Sequence, residues 1–227
     1  PALPVLIDHL RRDISAKNHT DLGGVVAFLS ADAVPSLVEL LADHGLRGRS
    51  WIARILAGIG PQAAPAVPAL TVVIEDKDRE EEELRRWAII ALGAIGMEAS
   101  AAVPGLVGVL ERDSLHLRRE VVDTLAQIGP AAGAAIPALL KSLGDPDREL
   151  RLRVVDALGS LCPDPAAVLP ALVRTLEADD VDLRVAAARA VGSMGADAEL
   201  ALPFLTEAFR DSSSRVRVWA MCAVVAL

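Results

Sequence analysis

Apolar residues recur along this chain at spacings of three and four, in short runs broken by small groups of Gly, Pro, Asp and Ser. The runs Pro137 to Leu143 and Leu183 to Val191 are typical. That period puts the apolar side chains on one face of a helix, whereas a half-buried strand would alternate. The breaks carry turn formers: Gly144, Asp145, Pro146 and Asp147 after one run, Asp179 and Asp180 after another, Asp211 to Ser214 after a third. The pattern predicts helix–turn–helix hairpins and no strand.

The hairpins repeat. An apolar residue followed by proline occurs at Leu3-Pro4, Val34-Pro35, Val67-Pro68, Val103-Pro104, Ile136-Pro137, Leu169-Pro170 and Leu202-Pro203, with prolines 31, 33, 36, 33, 33 and 33 residues apart. Arginine follows 14 residues later at Arg49, Arg118, Arg151, Arg184 and Arg217. In the third unit the offset is 17, reaching Arg85, because an acidic run (Glu80 to Glu83) lengthens the turn. A small residue closes each unit 11 positions after its arginine: Gly60, Gly96, Gly129, Cys162 and Gly195. Proline suits the first turn of a helix, where its missing N–H would be unpaired anyway. Glycine suits a left-handed C-terminal cap. One such hairpin cannot bury its apolar face alone, but stacked neighbours can. The chain therefore reads as one domain, 1–227, of units near 2–32, 33–65, 66–101, 102–134, 135–167, 168–200 and 201–227. The first is degenerate, with Asn18 where the arginine belongs, and the last lacks its closing residue.

Composition sharpens this. Hydrophobic residues make up 52% of the 227, yet aromatics only 3%, with no Tyr. A core of Ala, Leu, Val and Ile lets helices approach closely and disfavours a sheet, where aromatic and β-branched residues are enriched. The net charge of −8 opposes binding to a phosphate backbone. Two Cys give no disulfide framework and point to a reducing, cytoplasmic setting. The longest uncharged stretch, Thr124 to Leu140, is 17 residues and holds two prolines, so no membrane span is expected. The chain begins with Pro1, so its native N-terminus reads as missing.

The pattern of Val-Pro, turn Asp, Leu-Arg and Ala-Leu-Gly-x-Ile-Gly resembles the short HEAT-like repeats first associated with phycobilisome lyases, over essentially the whole chain. The resemblance implies an all-α, right-handed solenoid of about seven stacked hairpins, with second helices lining the concave side. Tetratricopeptide and ankyrin signatures are absent.

The arginine column, Arg49, Arg85, Arg118, Arg151, Arg184 and Arg217, suggests phosphate binding at first sight. Each arginine, however, opens a second helix just after a turn Asp (Asp43, Asp78, Asp113, Asp145, Asp179, Asp211). A guanidinium fork there bridges a carboxylate and backbone carbonyls, which makes a structural ladder. The segment Gly58 to Ala63 only loosely matches a dinucleotide loop, since it sits where a helix ends. His9, His19, His44 and His116 form no i, i+3 or i, i+4 pair, and Cys222 has no base beside it, so neither metal, cofactor nor catalytic residue is expected.

Counting from the ladder arginine, positions −1, +3, +6, +7 and +10 are apolar and should form the core, leaving +1, +5 and +8 on the open face. There Arg54, Arg86, Arg119, Leu152, Val185, Arg189 and Val218, with Arg153 close by, are the expected partner-binding residues. Leu152, Val185 and Val218 would form an apolar strip with a basic margin. Trp51, Trp87 and Trp219, all at +2, are expected to pack between second helices. The reading is a non-catalytic scaffold for a protein partner, held on the concave face. The alternatives are a bilin lyase or chaperone subunit and, disfavoured by charge, a nucleic-acid-binding HEAT protein. From Val216 to Leu227 only Arg217 is charged. That end is therefore expected to continue into further repeats or to pair with another chain.

Overall fold

The computed structural model describes residues 31–76, 81–161 and 165–227, apart from the side chains of residues 31 and 196–198. The first expected unit, with Pro4, Asn18, His9 and His19, lies outside them, as do Asp78, Glu80 and Cys162. The described residues contain helix and no strand.

Six hairpins follow one another: α1 (Val34–Ala42) with α2 (Arg49–Ile59), α3 (Val67–Glu75) with α4 (Glu82–Ile95), α5 (Val103–Arg112) with α6 (Leu115–Ile128), α7 (Ile136–Ser142) with α8 (Arg148–Leu161), α9 (Pro165–Thr175) with α10 (Val181–Ser193), and α11 (Leu202–Glu207) with α12 (Ser214–Ala226). In α1, α3, α5, α7 and α11 the recurrent proline occupies the first turn. The sixth unit differs from expectation. Its first helix starts at Pro165, so Pro170 falls inside α9. The run Glu80 to Glu83 is also only partly a turn, since Glu82 and Glu83 form the first turn of α4, where carboxylates favour the positive end of the helix dipole.

A third short helix joins consecutive units. Gly60–Ala66, Gly96–Ala102, Gly129–Ala135 and Gly195–Ala201 are 3-10 segments. With three residues per turn, every third side chain falls on one side. Accordingly Ala63 and Ala66, Ala99 and Ala102, and Ala132 and Ala135 are fully buried. At Gly60 and Gly96 the glycine opening the segment is not the expected left-handed cap. Gly60 has φ 70° and ψ −137°, and Gly96 φ 77° and ψ −142°. That region is closed to residues with a Cβ, so the requirement for glycine is stricter than in an αL cap. At Gly96 an added Cβ would meet nothing within 4 Å. Gly96→Ala is therefore expected to cost about 1–3 kcal/mol through backbone strain alone, measured as a lower denaturation midpoint; an unchanged midpoint would show that the backbone relaxes freely there.

The helical runs Arg49–Glu75 and Glu82–Arg112 are apolar and long enough to cross a membrane by length and composition. Each, however, is two α-helices and a 3-10 segment broken at a positive-φ glycine.

The chain divides into two compact units, Pro1–Ile128 and Gly129–Leu227. In the first, α2, α4 and α6 pack side by side, and Leu37, Leu41, Ile52, Leu56, Leu70, Ile74, Ile89 and Leu92 fill the space between them and α1 and α3. Thr124 Oγ1 donates to the Ile89 carbonyl at 3.0 Å, linking α6 to α4 through a buried hydroxyl. In the second unit, α8, α10 and α12 pack in the same way. Small residues set the spacing. A Cβ on Gly159 of α8 would stand 2.9 Å from Ala190 Cα of α10, and one on Gly192 of α10 would stand 3.0 Å from Ala223 Cα of α12. At Gly159 and Gly192 the +8 position therefore faces the next second helix, not an open groove as expected.

Candidate functional site

The ladder arginines sit at the start of the second helices and reach back to carbonyls that the first helices leave unpaired. Arg49 Nε donates to the Leu41 carbonyl at 2.6 Å, and Arg118 Nε to that of Leu110 at 2.9 Å. Arg85 donates to the Ile74 carbonyl through Nε and a terminal nitrogen, at 3.1 and 2.8 Å. In the second unit, Asx turns at Asp145, Asp180 and Asp211 turn loop carbonyls inward instead. There Arg151 donates to Asp145 and Pro146 at 2.7 and 3.0 Å, Arg184 to Ala178 and Asp179 at 2.8 and 3.0 Å, and Arg217 to Asp211 and Ser212 at 2.8 and 3.2 Å.

Arg85 and Arg184 also pair with a carboxylate that belongs to the following hairpin. Arg85 holds both oxygens of Asp113 at 2.7 and 2.8 Å. Arg184 holds both oxygens of Asp211 at 2.7 and 3.0 Å. The Arg184 guanidinium, helped by the Ser213 N–H, keeps the Asp211 carboxyl below the usual carboxylate range. A carboxylate whose acidity is raised by folding stabilises the fold while it is ionised. This contribution is complete at neutral pH and is lost as pH falls below about 4, through the depressed value. Urea midpoints should therefore drop between pH 4 and pH 2 more steeply in the wild type than in Asp211→Asn; parallel acid limbs would contradict the pairing.

The open side of the second helices carries the remaining polar groups. In the first unit, Arg54 of α2 is exposed and lies over two rings, 4.9 Å from the Trp51 centroid and 5.2 Å from that of Trp87 on α4. Arg86 lies 5.4 Å from the Trp87 ring and pairs with Glu120 of α6 at 3.2 Å and with Glu83 at 3.8 Å. The indole N–H of Trp87 donates to Glu83 at 2.9 Å. Arg119 is half-buried and already engaged. The outcome is a continuous patch of aromatic rings, guanidinium groups and carboxylates across α2, α4 and α6. Trp51 and Trp87, expected only to fill space, hold it together. The spacing of Trp to Arg at i, i+3 in α2 was the available signal.

In the second unit, Arg153 pairs with Glu149 at 3.1 Å, and Arg189 of α10 pairs with Asp156 of α8 across the helices. Leu152 is half-buried and Val218 is 51% exposed, but Val185 is buried at 7%. The expected strip of Leu152, Val185 and Val218 is therefore not a continuous surface. Residue 185 lies under the neighbouring second helices, because Ala186, Ala187, Ala188 and Ala190 let them close in on α10. A second row of charges, not anticipated, runs along the starts of α8, α10 and α12. Arg148 pairs with Asp180 and Asp182, and Arg215 with Asp182 at 2.7 Å. Arg148 holds the Asp180 carboxyl below its usual range, and Arg215 with Arg148 does the same for Asp182. Among the described residues, no group of three His, Cys, Asp or Glu is placed to hold a metal ion.

Comparison with solved structures finds the same architecture at low identity. A designed armadillo repeat protein in complex with the peptide (KR)4 is 20% identical over 85% of this chain and 98% of that one, with a TM-score of 0.66. The archaeal HEAT-like repeats protein from Thermococcus onnurineus NA1 is 17% identical over 85% and 79%, with a TM-score of 0.57. The complex of CpcE and CpcF of phycocyanin lyase from Nostoc sp. PCC7120 is 22% identical over 87% and 83%, at a TM-score of 0.48, too low to carry an argument. No curated protein matches the sequence. These likenesses speak for the fold alone, an all-α solenoid of stacked hairpins. The family model described as HEAT repeats matches residues 34–122, 77–143 and 136–224, and by that match the chain belongs to the HEAT-repeat family.

Proposed function

We propose that the chain is a non-catalytic scaffold that holds a segment of another protein on the exposed face of its second helices. The observation that carries this reading is the Arg54 guanidinium exposed between Trp51 and Trp87. Trp and Arg dominate binding energy where they can be desolvated together, and a guanidinium stacked on rings is held in place before any partner arrives. Carboxylates at Glu83 and Glu120 border the patch, so it offers both signs of charge and a flat apolar surface. That suits a polypeptide better than a phosphate backbone. Arg86, Arg153 and Arg189 each face a carboxylate, which leaves fewer unneutralised cations for the counterion release that binding a phosphate backbone requires. The designed armadillo protein, solved with a peptide bound, supports the idea that a solenoid of this kind can take an extended segment.

The test is capture of partners from lysate on the immobilised chain, with residue-level cross-linking. Arg54→Glu reverses the charge at an exposed position and gives up its stacking on the rings, so the thermal melt should fall by no more than about 4 °C while captured partners fall about tenfold or more. Retained capture, with cross-links on the first helices, would place the partner elsewhere and overturn the reading.

A further inference from the structure

We propose that the partner segment held on the first compact unit is acidic: an Asp or Glu side chain of the partner pairs with Arg54, and a large apolar side chain about three residues away covers Ile90 of α4. This rests on the reading that the exposed face of the second helices holds a polypeptide, and it names what that polypeptide must carry. Arg54 is a guanidinium whose charge is engaged and whose donors are not. It lies over the rings of Trp51 and Trp87, 4.9 and 5.2 Å from their centroids. The ring faces attract the positive charge. The five N–H donors of the fork still call for oxygen acceptors, and among the described residues no carboxylate or carbonyl accepts from Arg54.

Charge decides the sign of the occupant. Arg86, on the same face of α4, is already paired with Glu120 at 3.2 Å and with Glu83 at 3.8 Å. Glu83 is engaged a second time, since its Oε1 accepts the Trp87 indole N–H at 2.9 Å. A partner cation therefore meets an unneutralised guanidinium and carboxylates that are taken. A partner carboxylate meets paired N–H donors on a group that the rings already hold in position. The indoles also keep water from part of the guanidinium, so the pair gains more than an ion pair in open solvent, whose worth is small.

The register of the repeats places the second contact. Arg54 and Ile90 each stand five positions after their ladder arginine, on α2 and α4, which pack side by side. Ile90 is half-buried, and so are Ala57 and Ala94 about one turn further along. These residues form an apolar floor on which a large side chain of the partner is removed from water. Packed helices stand about 8–10 Å apart, a distance that an extended chain covers in about three residues. An acidic residue seated at Arg54 thus brings the side chain about three positions away over Ile90.

The experiment pans random peptides displayed on phage against the immobilised chain. A selected peptide is then synthesised, cross-linked, and titrated by tryptophan emission in a Trp219→Phe background, where Trp51 and Trp87 report. Selected sequences should be enriched in Asp or Glu about three residues from Leu, Ile, Met or Phe. Replacing that acid by its amide should weaken binding about tenfold, and Arg54→Gln should do the same, the worth of one charge-assisted contact. The two changes together should cost little more than either alone, since they remove the same contact. Arg54→Lys should recover part of the loss, because an ammonium keeps the charge without the fork. An acidic peptide bound equally by the wild type and Arg54→Gln would overturn the proposal. Basic or uncharged sequences that cross-link to α2 and α4 would overturn the acidic occupant and leave the scaffold reading standing. Cross-links confined to the first helices, or a panning that enriches no sequence, would overturn both.

Discussion

Arg85→Ala is expected to be among the most damaging single substitutions in the first compact unit, costing about 3–5 kcal/mol. The side chain is 4% exposed, and its guanidinium makes four hydrogen bonds, two to the Ile74 carbonyl and two to Asp113. It thereby ties together the end of α3, the start of α4 and the turn between α5 and α6. Truncation leaves a carboxylate and a helix-terminal carbonyl in a site from which water is largely excluded, and that desolvation dominates the loss. Arg85→Lys should recover only part, because an ammonium cannot reproduce the fork. Arg85→Ala combined with Asp113→Ala should lose less than the sum of the single changes, since the stranded charge is gone. Arg151, half-buried on two turn carbonyls, should cost about 1–3 kcal/mol when replaced by Ala. Arg189→Ala, in an exposed ion pair, should cost less than about 1 kcal/mol. Urea midpoints of the three Ala variants check the order, and equal losses at Arg85 and Arg189 would contradict the ladder.

Gly159→Val should cost about 3 kcal/mol in the second unit, the upper end of what overpacking usually brings. Its Cβ alone would come within 2.9 Å of both Cα and Cβ of Ala190 and 3.1 Å of the Ser193 hydroxyl. The obstacle at Ala190 includes backbone, so α8 and α10 must separate, and valine adds two methyl groups where the first carbon already fails to fit. Helix propensity favours valine over glycine by only a few tenths of a kcal/mol, far too little to offset this. Gly108→Ala, in α5, is the matched control. Its Cβ would meet only the end of the Arg112 side chain at 3.4 Å, so the gain in propensity, about 0.5–1 kcal/mol, should appear as a raised midpoint. If Gly159→Val were tolerated as well as Gly108→Ala, the close packing of the second helices would have no energetic weight.

Among the described residues, the two helices of each hairpin and most of the first-helix starts are legible from residue order alone, because each marker answers a local requirement. Pro35, Pro68, Pro104, Pro137 and Pro203 stand where a helix can begin without an N–H, and Gly60, Gly96, Gly129 and Gly195 stand where φ is positive. The 3-10 segments were equally local, since Ala63 and Ala66, or Ala99 and Ala102, keep a period of three. Residue order does not single them out, because alanine serves buried and exposed positions alike and so marks no face.

What the order of residues could not settle depends on groups about thirty positions apart. The carboxylate that Arg85 holds with both oxygens is Asp113, 28 residues onward. Arg54 meets Trp87 only because α2 and α4 lie side by side. Val185 and Val218 show the limit most plainly. They are the same residue type at the same register position, yet one is 7% and the other 51% exposed. Helical periodicity tells which way a side chain points from its own axis. Only the tertiary structure decides whether another helix lies there, because that depends on how closely the small residues of neighbouring hairpins allow the helices to approach.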